Sequence, residues 1–165
     1  MKYVPCLFIT LFFCSPSVKA QENSKFSKEA LDARLINTQG DTILFSEILS
    51  KNLGKPCYFD MWASWCKDCI SGFAKVQHVF TKYRTHNHFV FLSVDKSMDQ
   101  WKKAIAKYKI PGEHYLVLGE WKNPIGNFLQ LDWIPRYFIV DSTGIISEWK
   151  EVEGDHTNLL QQLQK

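Results

Sequence analysis

The run Cys57-Tyr58-Phe59-Asp60-Met61-Trp62 constrains this chain most. It has the length of a strand and is apolar on both faces. Such a segment cannot lie on a half-solvated sheet; it needs cover on both sides, which puts it at the centre of a helix-flanked sheet. After Cys66 the period changes: Ile70, Phe73, Ala74, Val76, Val79, Phe80 and Tyr83 recur at helical spacing. The pair predicts a buried strand handing over directly to an amphipathic helix.

Flanking patterns extend this core in both directions. Upstream, Ala30 to Ile36 and Thr42 to Phe45 read as a hairpin turning at Gln39-Gly40-Asp41, followed by a short helix from Phe45 to Leu49 and a break at Gly54-Lys55-Pro56. Downstream, Phe89 to Val94 reads as the next strand. Ser97-Met98-Asp99-Gln100 resembles a capping box ahead of a helix that buries Trp101, Ala104, Ile105 and Tyr108. His114 to Leu118 reads as a short strand, and Asn123-Pro124 as the start of a short helix carrying Ile125, Phe128 and Leu129. Arg136 to Val140 and Ile145 to Trp149 read as a final hairpin around Asp141-Ser142-Thr143-Gly144. A last helix is expected to be capped by Asp155, with Leu159, Leu160 and Leu163 inward. The order predicts an α/β domain over residues 30–165: a mixed central sheet flanked by helices, with an N-terminal β-hairpin extension.

The first twenty residues have a different character. One lysine precedes an apolar stretch from Tyr3 to Cys14, then Ser15-Pro16-Ser17 and the small-residue pattern Val18-Lys19-Ala20. This is the layout of a secretory signal peptide cleaved after Ala20. The stretch falls short of the roughly 20 residues of a membrane span, so an uncleaved anchor is the lesser reading. Phe13 before Cys14 disfavours a lipoprotein signal. Residues 21–29 read as a flexible lead-in. No second apolar stretch reaches spanning length, so the processed chain is expected to be periplasmic or otherwise extracytoplasmic, without a membrane span. Loss of Lys2 and Lys19 leaves 18 basic against 17 acidic residues and no basic stripe, which excludes nucleic acid as an expected partner.

Export also sorts the cysteines. Cys6 and Cys14 belong to the leader; Cys57, Cys66 and Cys69 remain. Three cysteines make no disulfide framework, and one pair plus one thiol is the economical reading. A structural zinc site needs four ligands, but there is no second Cys-x-x-Cys, and His78 lies nine residues beyond Cys69, so no metal is expected. His86-Asn87-His88 reads as a solvated loop and Cys57 as a buried, inert thiol. Cys66, at the head of the helix, meets unpaired backbone N–H groups and the positive end of the macrodipole, which favour a thiolate. A thiol shifted from a pKa of about 8.5 to about 7 is half ionised at neutral pH. Cys69, one turn on, reaches back to the same point and can resolve a mixed disulfide. Asp60, on a buried strand, is expected to have its pKa raised by desolvation.

Trp62-Ala63-Ser64-Trp65-Cys66-Lys67-Asp68-Cys69 resembles the active-site stretch of the thioredoxin superfamily, and Ile134-Pro135 resembles its second signature, a cis-proline opposite the cysteines. The leader, the hairpin at residues 37–45 and the segment between Lys109 and Trp133 are most similar to the TlpA/ResA branch of exported thiol–disulfide oxidoreductases. The resemblance implies a thioredoxin-like fold and disulfide reduction by Cys66 and Cys69, with Asp60 accepting the proton of Cys69. Trp65, Ile134 and Pro135 would bind the substrate, the backbone beside Pro135 pairing with an extended chain. No cofactor is implied. The partners would be protein disulfides, apocytochrome c being one candidate, and a thiol-donating reductase, with a membrane-bound one as a candidate. Three positions depart from the branch: Lys67-Asp68 lacks its proline, Gly72 stands where a glutamate is frequent, and Ala74 replaces a helix-kinking proline. Two rivals stand beside this reading, a thiol peroxidase and a non-catalytic thioredoxin-fold binding module. Trp62 and Trp101 read as core, Trp121 as packing, and Arg136 equally as substrate contact or surface charge.

Overall fold

A computed structural model describes residues 25–164. In chain order the elements are α1 (Lys28–Leu31), β1 (Arg34–Asn37), β2 (Thr42–Leu44), α2 (Phe45–Lys51), β3 (Cys57–Trp62), α3 (Lys67–Tyr83), β4 (His88–Ser93), α4 (Met98–Tyr108), β5 (Glu113–Val117), α5 (Pro124–Phe128), β6 (Arg136–Val140), β7 (Ile146–Glu151) and α6 (Thr157–Gln162). The expected signal peptide, residues 1–20, and the first part of the lead-in lie outside the described residues.

The apolar run forms β3, buried at every position and central in a seven-stranded sheet ordered β2-β1-β5-β4-β3-β6-β7. β3, β4 and β5 run parallel; β1 and β6 join them antiparallel, and β2 and β7 form the rims. The predicted mixed sheet and N-terminal hairpin are thus present, the hairpin docking through β1 on β5. Alternation along β3 divides its side chains between two layers. Phe59 faces α2, meeting Phe45 edge-on at 5.9 Å, and stacks on Phe138 of β6 at 4.7 Å. Tyr58 points the other way, beside Phe89 of β4, which Phe80 of α3 covers.

Several boundaries differ from expectation, each for a local reason. The lead-in is not loose from Phe26 onward. Phe26 packs among Phe45, Phe128 and Phe138, and Ser27 caps α1 by accepting the Ala30 N–H, so β1 starts only at Arg34. The loop at 86–88 is only partly solvated, because buried Asn87 donates to the carbonyls of Tyr83 and Leu163 and so ties the end of α3 to α6. His156, not Asp155, caps α6, since Asp155 is drawn 3.2 Å from Lys75 of α3. Arg136 is neither expected alternative: it is buried, donates to the Lys150 carbonyl and pairs with Asp132, which fastens the start of β6 to β7. α3 runs unbroken through Ala74.

Candidate active site

The site forms where β3 ends and α3 begins. A turn at residues 63–66, closed by the Cys66 N–H donating to the Ala63 carbonyl at 3.1 Å, makes Cys66 the N-cap of α3. Cys66 and Cys69 form a disulfide with Cα atoms 5.3 Å apart, and the Cys69 N–H donates to Cys66 Sγ at 3.1 Å. A sulfur held at this point faces the free N–H groups of the first helical turn, so a negative charge arising on it is stabilised there.

The Ile134–Pro135 peptide is cis, and the Ile134 carbonyl oxygen lies 3.6 Å from Cys66 Sγ. The structure therefore brings Cys66, Cys69, Ile134 and Pro135 to one place from sites nearly seventy residues apart in sequence. Cys66 itself is only 6% exposed in the disulfide form, with the Ile134 carbonyl of the loop before β6 against its sulfur. The exposed surface belongs to its neighbours: Trp65 is 53% and Trp133 56% accessible. Trp62 and Trp101 are core, as expected. Trp121 does more than pack internally. It lies 6.3 Å from Trp65, and the two rings, with Val94, Lys96, Gln100 and Glu120, line a groove of about 400 Å³.

Asp60 is fully buried, and neither carboxylate oxygen has a hydrogen-bond partner among the described residues. Desolvation raises its pKa well above the usual carboxylate range. Register puts Asp60 opposite Tyr137 of β6, on the sheet face that also carries Tyr58. α3 covers this face, with the Tyr137 hydroxyl beneath Gly72. The missing side chain at Gly72 helps open a cleft of about 290 Å³ whose lining also includes Asp68, Lys75, Trp133 and Pro135. Cys57 is a buried free thiol, and burial pushes its pKa up. Among the described residues no cluster of His, Cys, Asp or Glu is arranged to hold a metal ion, and no helix is long and apolar enough to cross a membrane.

Asp95, given no role by the sequence, is 2% exposed at the end of β4. Its carboxylate accepts the Ser64 N–H at 2.8 Å, the Ser64 hydroxyl at 2.6 Å and the Ser93 hydroxyl at 2.7 Å. Ser93 is two residues away, but Ser64 lies 31 positions back, and no local pattern links it to Asp95.

A central strand running into a disulfide at a helix N-cap, faced by a cis-proline before an antiparallel strand, defines a thioredoxin-type protein. Comparison with known proteins agrees: a family model described as thioredoxin-like matches residues 54–146, and the chain belongs to that family. It is 26% identical over 108 residues to the chloroplastic thioredoxin-like protein HCF164 of Arabidopsis thaliana, covering 65% of this chain. The chain spans about two fifths of the length of the curated relatives it matches, 39% of the Arabidopsis protein and 36% of a rice one. Among solved structures, a thiol-disulfide oxidoreductase from Bacteroides fragilis superposes with a TM-score of 0.68 at 19% identity, covering 82% of this chain and 99% of that one. A secreted Mycobacterium tuberculosis disulfide oxidoreductase, homologous to E. coli DsbE, gives 0.63 at 14% identity, covering 84% and 98%. At these identities the structural likeness speaks for the fold.

Proposed function

We propose that this chain is an exported thiol–disulfide oxidoreductase that reduces disulfides of other proteins outside the cytoplasm. The observation that carries the reading is the Cys66–Cys69 disulfide at the α3 N-cap, with Cys66 Sγ beside the Ile134 carbonyl. In the reduced protein the Cys66 thiolate attacks one sulfur of a substrate disulfide. The substrate S–S bond breaks, and its other sulfur leaves as a thiolate that takes a proton from solvent. Cys69 then gives its proton toward Asp60 and attacks Cys66 Sγ, which expels the second substrate sulfur. Two electrons pass to the substrate, and the Cys66–Cys69 bond forms. Burial raises the pKa of this carboxyl, which makes it a better proton acceptor than an exposed aspartate. Trp65, Ile134 and Pro135 hold the substrate chain, with Trp133 as a second exposed wall. A separate thiol protein, with a membrane-bound reductase as the candidate donor, returns the two electrons. Apocytochrome c is one candidate substrate, and residues 1–20 act as the export signal.

Redox titration of Cys66–Cys69 against glutathione tests the direction. A potential below about −250 mV supports a reductant, and one near −120 mV overturns it in favour of an oxidant. Cys66→Ser should abolish turnover, and Cys69→Ser should trap mixed disulfides that name the substrate. Peroxide consumption by the reduced protein would instead make it a peroxidase. Undiminished partner binding by Cys66→Ser, with no wild-type turnover to lose, would make it a binding module.

A further inference from the structure

We propose that Asp95 is a positioning residue for Cys66 and Trp65, acting through Ser64; the inference rests on the thiol–disulfide exchange proposed above. The turn at residues 63–66 is the whole connection between β3 and α3, and it carries Trp65 outward and Cys66 onto the helix cap. Within that turn the Ser64 backbone and hydroxyl both bind one carboxylate, that of Asp95. Asp95 is itself braced. Its second oxygen also takes the Ser93 hydroxyl, its own N–H donates to Ser93 Oγ at 3.0 Å, and the adjacent Val94 N–H donates to the Trp62 carbonyl at 2.9 Å. Charge-assisted bonds to a buried carboxylate are among the stronger ones a protein makes, and each holds direction as well as distance. The ends of two parallel strands are thereby clasped at the point where the chain enters the site.

The clasp has two consequences for the chemistry. In the disulfide form, the Cys66–Cys69 bond also restrains the turn. On reduction that covalent restraint disappears, and the bonds from Ser64 to Asp95 remain to keep Cys66 on the cap as the thiolate forms. The second consequence concerns docking. Val94 and Lys96, either side of Asp95, line the same groove as Trp65. The carboxylate therefore joins the two walls of that groove, Trp65 from one loop and Val94 with Lys96 from the other. Position within about 1 Å governs reactions of this kind, so loosening the turn should slow attack even where the fold survives.

The test uses full-length reduced protein with Asp95→Ala, Asp95→Asn and Ser64→Ala. The readouts are the rate with a protein disulfide (insulin), the ultraviolet titration of the Cys66 thiolate and thermal melting. Asp95→Ala should lower the insulin rate at least about tenfold and shift the thiolate titration to higher pH, because Cys66 loses its fixed place against the N–H groups. Asp95→Asn, which keeps an acceptor for the Ser64 N–H, should recover most of the rate. Ser64→Ala, which keeps the N–H bond, should fall between. If Asp95→Ala does not fold, the order wild type, Asp95→Asn, Ser64→Ala still decides. Folded variants whose rates stay within twofold of wild type and whose thiolate titration is unmoved overturn the proposal, even if they melt earlier, since a purely structural brace would do only that. Absence of insulin reduction by the wild type would overturn the proposed function itself, a result distinct from unchanged variants beside an active wild type.

Discussion

Asp60 stands directly opposite Tyr137 across the β3–β6 ladder, sealed from water, with both carboxylate oxygens unpartnered among the described residues. A charge in that position has neither solvent nor a hydrogen bond to stabilise it, so the folded protein holds the neutral acid to higher pH than the unfolded chain does. Between the unfolded value near 4 and the raised folded value, the native state binds a proton that the unfolded state has lost. Stability therefore falls as pH rises through that window, by about 1.4 kcal/mol per unit at full effect. Asp60→Asn should remove the fall, so its melting temperature should exceed that of the wild type by a margin that widens above about pH 4. The same variant should accumulate mixed disulfide, with turnover slowed on the order of 10- to 100-fold, if the carboxylate takes the Cys69 proton. Melting curves across pH and mass spectrometry of stalled complexes check the two halves separately.

His114 exerts the opposite pull. Its ring lies 5.3 Å from that of Phe91, with Nε2 3.0 Å from the Ile110 carbonyl and Nδ1 buried without a partner among the described residues. Desolvation lowers its pKa to about 4. Below the ordinary value of about 6.5 the unfolded chain takes up a proton that the native ring refuses, so stability falls as pH drops from there to about 4. His114→Gln, which never charges, should flatten the acid side of the stability profile while leaving the Asp60 limb in place. Denaturant titrations at several pH values show whether it does.

Gly72 and Gly154 should respond in opposite ways to alanine. A Cβ at Gly72 meets only the Tyr137 hydroxyl, at 3.4 Å, an ordinary contact within a helix where glycine is unfavourable. Gly72→Ala should stabilise by about 0.5–1 kcal/mol, raising the melting temperature by about 2 °C. A Cβ at Gly154 would fall 2.7 Å from Val76 and 2.8 Å from the Tyr58 hydroxyl, which donates to the Gly154 carbonyl. Gly154→Ala should cost about 1–3 kcal/mol. Calorimetry of the pair measures both.

Cys57 should behave as an apolar side chain. It is buried, and desolvation leads the causes that hold its thiol protonated well above the usual range. After reduction, alkylation at pH 8 should label Cys66, whose sulfur sits at the helix cap, and spare Cys57 until denaturant is added. Mass spectrometry that finds Cys57 modified in the native protein would contradict its placement.

What could be read from the chain tracks the range over which the causes act. β3 and α3 were legible because the apolar run and the helical stripe are continuous, and burial follows directly from them. The disulfide pair and the proline opposite it were legible because the residue types carry the chemistry wherever the chain puts them. α1 was not: a four-residue turn of Lys-Glu-Ala-Leu has no stripe, and it forms because Ser27 caps it and Phe26 finds a pocket made by distant residues. Asp95 escaped for the same reason, since Ser64, the partner that ties it to the site, comes from a different strand end. Arg136 read equally as substrate contact or surface charge, and only the pairing of β6 with β7 supplies the carbonyl that draws it inward.

The two rims of the sheet carry a last implication. β2 offers only three residues, and β7 slips register against β6 between Tyr137 and Val140. Edges this short or this bent are poor templates for a foreign strand. Another extended chain that meets these flanks finds little ladder to zip onto, so that aggregation from the borders is discouraged by shape alone.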